Sequence, residues 1–331
     1  MSTIQVSPDK LKSLEECLCN FKGNVALHTR FRALFTLKAL KSDEAVGIIS
    51  KAFSDPSALL KHELAYCLGQ TKKISALPTL ESVLRNTAED PMVRHEAAEA
   101  MGAISDPSSV SILREYLTDS NRSVRETCEI AIAKIEWDNS EESKKMQGSS
   151  SESQRFTSVD PAPATSSLLR RPPSSSSSLS TESISALQSQ LLDTSLPLFK
   201  RYRAMFSLRN IGTPEAIDAL SSGFADSSEL FKHEIAFIFG QLVSPHSVPA
   251  LLKVLQDTQE SDMVRHEAAE ALGGIATPEV LPHLREWMNK EDAPSVVRES
   301  CQVALDMWEY ENSNEFQYAN GLGSTIPITV A

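Results

Sequence analysis

The sequence predicts an all-α protein: an α-solenoid of short helical hairpins, four in each of two pseudo-symmetric halves, with a disordered linker between the halves. Three observations carry this. Met92 to Ala100, Met-Val-Arg-His-Glu-Ala-Ala-Glu-Ala, recurs letter for letter as Met263 to Ala271, so the chain is a duplication. Lys61 to Gln70 returns more loosely as Lys232 to Gln241 at the same offset of 171 positions, and within each half the two His-Glu dipeptides lie 33 residues apart. Between the copies runs a Ser- and Pro-rich stretch with no helical period.

Residues 1–138 form the first half. Arg32-Ala-Leu-Phe-Thr-Leu-Lys-Ala-Leu40 lies 30 positions before His62 and matches Arg203 to Ile211, which lies 30 before His233. Val124-Arg125-Glu126 and Val297-Arg298-Glu299 echo Val93-Arg94 and Val264-Arg265 further on. Each half therefore holds four units of about 30 residues, and apolar residues at helical spacing with that period mean stacked hairpins. Asp55-Pro56, Asp90-Pro91 and Asp106-Pro107 are expected to place an N-cap Asp before a first-turn Pro. Segments 74–86, 106–119, 248–258 and 277–290 read as the partner helices. With tetratricopeptide and ankyrin signatures missing, a short HEAT-like repeat is the fitting label. The end units carry Arg32, Arg203, Glu126 and Glu299 where the inner units carry His, as expected of caps. Gly69, Gly102, Gly240 and Gly273 each follow a His by seven residues, which reads as close helix packing.

Residues 139–182, with Pro161-Ala-Pro163 and Pro172-Pro-Ser-Ser-Ser-Ser-Ser178, have a composition that cannot bury enough apolar surface to order itself. Residues 183–311 form the second half, and 312–331 a tail without a repeat counterpart.

Composition narrows the function. A net charge of −12 argues against nucleic-acid binding, which depends on cations at phosphates, and favours a cationic substrate. No apolar run is long enough for a membrane helix, and the first residues lack a basic start followed by an apolar stretch. A monomer in the cytoplasm, extending to the nucleus, is expected. Five cysteines without Cys-x-x-Cys indicate neither a disulfide framework nor a zinc knuckle.

Adjacent helical residues point about 100° apart, so a His-Glu pair can bracket one point in front of its helix. One such dipeptide is ordinary helix surface. Four, at matched places, would bring four imidazoles and four carboxylates around one cavity if the halves face each other. The carboxylates would repel unless cations sat between them, which points to a pair of divalent metals. The nitrogen and oxygen donors suit iron, manganese or zinc, and the pattern is neither His-Glu-x-x-His nor Glu-x-x-His.

On these residues the chain resembles the deoxyhypusine hydroxylases, from about Val25 to Met307. The resemblance implies a non-haem di-iron monooxygenase with two Fe(2+) per chain. It would use O2 and an external electron donor to hydroxylate the aminobutyl side chain of deoxyhypusine in eukaryotic translation initiation factor 5A. It also implies His62, Glu63, His95, Glu96, His233, Glu234, His266 and Glu267 as the metal site. Because two six-coordinate irons need open positions for O2, the four histidines with Glu96 and Glu267 are expected on the metals, and Glu63 and Glu234 facing the substrate amine. Glu99 and Glu270 read either as outer partners of His95 and His266 or as exposed helix carboxylates. The rival readings are an interaction scaffold without metal, a bilin lyase-like protein, and a two-metal hydrolase that needs no oxygen.

Overall fold

The computed structural model describes residues 6–147, 156–165 and 181–314. The first half is α1 (Pro8–Cys19), α2 (Leu27–Leu40), α3 (Asp43–Lys51), α4 (Ala58–Thr71), α5 (Leu77–Arg85), α6 (Pro91–Ile104), α7 (Ser109–Glu115) and α8 (Arg122–Asp138). A short α9 (Glu141–Gln147) follows. The second half is α10 (Thr181–Leu192), α11 (Leu198–Ile211), α12 (Pro214–Ser221), α13 (Glu229–Leu242), α14 (Val248–Gln256), α15 (Asp262–Ile275), α16 (Val280–Asn289) and α17 (Ser295–Glu311). Among the described residues, eight α-helices in each half make the four hairpins the repeats predict, and there is no strand. No helix among them is long and apolar enough to cross a membrane.

Odd helices of the first half and even ones of the second are short and lie outside; their partners stack as an inner layer. α4 packs on α6 and α6 on α8, and likewise α13 on α15 and α15 on α17. The inner helices approach closely because small residues face each other. A Cβ on Gly69 would lie 2.7 Å from the Ala100 Cα, and one on Gly273 would lie 2.6 Å from the Ala304 Cα. In the first and third hairpins of each half a buried arginine ties the two helices together: Arg30, Arg94, Arg201 and Arg265 donate from Nε to the carbonyls of Leu18, Leu84, Leu191 and Leu255 near the ends of the outer helices. Bonding of that kind lets a charged side chain stay in the interior, since its desolvation is offset by fixed acceptors.

Caps differ from expectation at two of three places. Asp90 does cap α6, accepting from the Met92 amide at 2.8 Å with Pro91 in the first turn. At Asp55 the carboxylate is engaged by Arg30 and by the Ser57 amide, so α4 starts later and Ser57 caps it. Asp106 likewise accepts from Ser108 in a turn ahead of α7.

The halves close on each other at both ends. α17 lies against α2 and α4, and α8 against α11 and α13. Arg32 grips Asp306 through two bonds of 2.9 and 2.8 Å. The Ser57 hydroxyl donates to Glu299 at 2.7 Å, and its pseudo-equivalent Ser228 donates to Glu126 at 2.5 Å. The end units are therefore clasps between halves as well as caps.

The linker reading needs one correction. Within 139–182, α9 is helical, α10 begins at 181 rather than 183, and residues 156–165 are fixed against the inner helices. Ala162 is fully buried, the Val159 amide donates to the Gln70 side chain at 2.8 Å, and Arg209 binds both oxygens of Asp160 at 2.6 Å. Composition fails here because the order comes from a few tethers to the solenoid and not from a core of the segment's own. Residues 148–155 and 166–180 and the tail from 315 lie outside the described residues.

Candidate metal centre

α4, α6, α13 and α15 bring all four His-Glu pairs together in the interior between the halves. The imidazoles form a tight group: His62 lies 5.5 Å from His95, 5.6 Å from His233 and 5.0 Å from His266, ring centre to ring centre. His95 is 5.5 Å from His233, and His233 is 5.3 Å from His266. His95 and His266 are wholly buried, and the other two nearly so.

Both ring nitrogens of each of the four histidines are buried without a hydrogen-bond partner. Buried polar atoms are almost always bonded, so eight orphaned nitrogens in one place are the mark of a ligand set. Carboxylates stand beside them. Glu96 Oε2 is 3.3 Å from His62 Nε2, and Glu267 Oε2 is 3.4 Å from His233 Nε2, the same relation in both halves. His62, His95 and Glu96 can offer three ligand atoms within 4.8 Å of one another, and so can His62, His233 and His266. The first group belongs to one half and the second crosses between them. The residues present thus fit divalent metal ions.

The metal-free electrostatics point the same way. Burial, with Coulombic repulsion between neighbouring imidazoles, holds His95 and His266 well below the usual imidazole range, and burial also lowers His62. Burial pushes Glu63 up to about 7 and Glu96 and Glu99 up to about 8. Glu234 and Glu270 are also raised well above the usual carboxylate range, by burial first and by neighbouring carboxylates second. Each group favours its neutral form, as expected where like charges crowd in a space of low polarity. Metal cations would reverse that preference for the carboxylates.

Of these histidines, His62 and His233 border a cavity of about 390 Å³. Glu63, Glu96, Glu99, Glu234, Glu267 and Glu270 all line it, so Glu99 and Glu270 are cavity carboxylates and not exposed ones. Glu270 Oε1 stands 3.7 Å from His266 Nδ1. Aromatic side chains complete the wall: Tyr66 and its repeat counterpart Phe237 meet edge to face at 5.8 Å, with Phe35 and Met307 beside them.

Comparison with known proteins follows this geometry. Profiles described as HEAT repeats match residues 47–133 and 223–306, and one described as PBS lyase HEAT-like repeat matches 200–226. A deoxyhypusine hydroxylase of Lentinula edodes is 64% identical over 99% of this chain and 100% of its own length. The chain belongs to the deoxyhypusine hydroxylase family. The deoxyhypusine hydroxylase of Candida albicans is 50% identical over 96% of this chain and 99% of its own. The solved structure of human deoxyhypusine hydroxylase in complex with glycerol superposes with a TM-score of 0.80 at 44% identity, covering 91% of this chain and 96% of that one.

Within this deoxyhypusine hydroxylase fold the sequence pattern missed part of the cavity. Phe156, Thr157 and Ser158 form one wall, and nothing in a Ser/Pro-rich composition marks them. Lys38 and Arg209 also escaped notice, although the repeat pairing of Arg32 to Leu40 with Arg203 to Ile211 sets them at equivalent places.

Proposed function

We propose that this chain hydroxylates the N6-(4-aminobutyl)lysine residue of eukaryotic translation initiation factor 5A, completing hypusine. The observation that supports it most is the group of eight buried, unbonded imidazole nitrogens beside paired carboxylates that line one cavity. His62, His95 and Glu96 would hold one iron, and His233, His266 and Glu267 the other. Two ferrous ions supply, when bound, the electrons with which O2 attacks an unactivated C–H bond, chemistry that redox-inert zinc lacks.

The rest of the work falls to the chain. Phe35, Tyr66, Phe237 and Met307 give the methylenes of the substrate side chain an apolar wall. Glu63 and Glu234 would hold its ammonium group, a reading supported by a buried, unbonded Glu234 oxygen. A cationic amine beside them draws their carboxyls back to the charged form, so binding and ionisation reinforce each other. Burial of the imidazoles keeps bulk water from the reacting carbon. The electron donor is external.

The test combines metal analysis of the purified chain with mass spectrometry of the deoxyhypusine form of the factor after incubation in air. Two irons per chain and a gain of one oxygen atom on the modified lysine are expected. Zinc, or no metal with no mass gain, would overturn the reading. In the same assay Glu63→Gln and Glu234→Gln should raise KM more than they lower iron content, and Glu96→Gln and Glu267→Gln should do the reverse.

A further inference from the structure

The duplication sets two pseudo-equivalent helix junctions beside the site, α2 with α17 and α11 with α8, and the segment 156–165 treats them differently. Phe35, Lys38 and Met307 stand where α2 meets α17. The repeat relation maps these residues onto Phe206, Arg209 and Lys134, where α11 meets α8. Phe35 and Met307 line the open cavity. Phe206 is fully buried, and beside Lys134 only a hollow of about 10 Å³ remains, closed by Pro161.

The segment is held by both halves at once. Gln70 accepts from the Val159 amide, and its repeat counterpart Gln241 donates to the Ser158 hydroxyl at 2.7 Å. Arg209 clamps Asp160 and lies between the rings of Phe156 and Phe206, 4.2 and 4.7 Å from their centres. Arg203 donates to the Pro163 carbonyl, and the Thr165 amide donates to Ser207. Lys38, in the place equivalent to Arg209, packs on the Phe35 and Tyr66 rings, at 4.1 and 5.2 Å; its charge acts on the Glu63 carboxyl, and it forms no ion pair within 4 Å among the described residues.

We infer that residues Phe156 to Pro161 plug one of two pseudo-symmetric mouths, so that an alkylammonium side chain reaches the carboxylates only past Phe35 and Met307. The strap thereby breaks the near two-fold symmetry of the site and gives a long, unsymmetrical substrate one orientation. This deepens the proposed function and rests on its metal-centre reading.

The test uses the full chain loaded with iron(II). Release of the metal to an excess of chelator is followed in wild type, in Met307→Trp, in a strap variant carrying Asp160→Ala and Pro161→Gly, and in the two combined. Met307→Trp should slow release severalfold, the strap variant should speed it severalfold, and the combination should be fast, because the second mouth then serves. A strap variant no faster than wild type, or a combination as slow as Met307→Trp alone, overturns the inference. Phe156→Ala, which leaves the Asp160–Arg209 pair in place, should give a smaller acceleration and serves if the double strap variant does not fold. In parallel a synthetic peptide bearing N6-(4-aminobutyl)lysine is titrated onto each form. Met307→Trp should weaken it at least tenfold, and undiminished affinity in that variant would count against the assigned mouth. A wild-type chain that ignores the peptide would instead reject the proposed function, while metal release still judges the strap.

Discussion

The middle and end units of each half put the same helix position to opposite uses. On α4, α6, α13 and α15 it carries His62, His95, His233 and His266, all turned into the shared interior without hydrogen-bond partners. On α2, α8 and α17 it carries Arg32, Glu126 and Glu299, and these bond across the boundary between halves to Asp306, Ser228 and Ser57. On α11 it carries Arg203, which stacks on Trp137 of the other half at 4.4 Å. A repeat therefore fixes where a side chain points, while its place in the stack decides what it meets. The clasps also join the halves through contacts that need no metal.

The sharpest way to break this comparison is to exchange the two classes. Alanine at His62, His95, His233 or His266 should abolish turnover and lower iron content, whereas alanine at Glu126 or Glu299 should leave iron content unchanged. Iron analysis beside the hydroxylation assay decides it; a histidine variant with full iron would remove that residue from the ligand set.

The clasp itself should show in stability. Arg32→Ala strips a nearly buried Asp306 of two charge-assisted bonds, and such bonds are worth about 1.5–3 kcal/mol. Thermal unfolding should register the loss with iron content intact. If the chain is also cut within 148–155 and treated with chelator, the wild-type halves should still elute together in size-exclusion chromatography.

Packing between middle and end units offers a smaller test. Gly273→Ala drives a methyl group to within 2.6 Å of the Ala304 backbone on α17, an overpacking that costs about 1–3 kcal/mol. Gly240→Ala meets Ala271 at 3.4 Å and should cost clearly less. Equal falls in melting temperature would show that these two contacts are packed alike.

A last test is a pH dependence confined to the metal-free chain. Glu63, Glu96 and Glu99 have folded values of about 7, 8 and 8, above the unfolded carboxyl value of about 4.3. Their protonated forms suit the folded state, so the stability they contribute is present at low pH and lost as pH rises toward 8. His62, His95 and His266 are lowered, so their contribution is present above about 6.5 and lost below it. The two oppose each other in mild acid, but from about pH 6.5 to 8 only the carboxylates still titrate. Melting temperature of the metal-free chain should fall over that window, and the metal-loaded chain should not follow it. A rise instead would mean that the imidazoles dominate.

The sequence by itself determined the repeat, and with it most of the architecture. Letter-for-letter recurrence of Met92 to Ala100 fixed two halves, the spacing of His62 and His95 fixed the hairpin period, and glycines seven residues after each His fixed the close approach of the inner helices. These are local matters: period and side-chain size act within one helix or between neighbours. The sequence also named the four histidines, because duplication preserved them in a chain that otherwise diverged between copies.

Only the tertiary structure decided what depends on residues far apart in the chain. Asp306 as the partner of Arg32, Glu99 and Glu270 as cavity carboxylates, and the capture of Val159 and Asp160 by Gln70 and Arg209 all arise where distant segments meet. A Ser/Pro-rich stretch has no apolar period to announce such docking. Its order is supplied by fixed donors and acceptors on the solenoid, and their positions exist only once the two halves have closed.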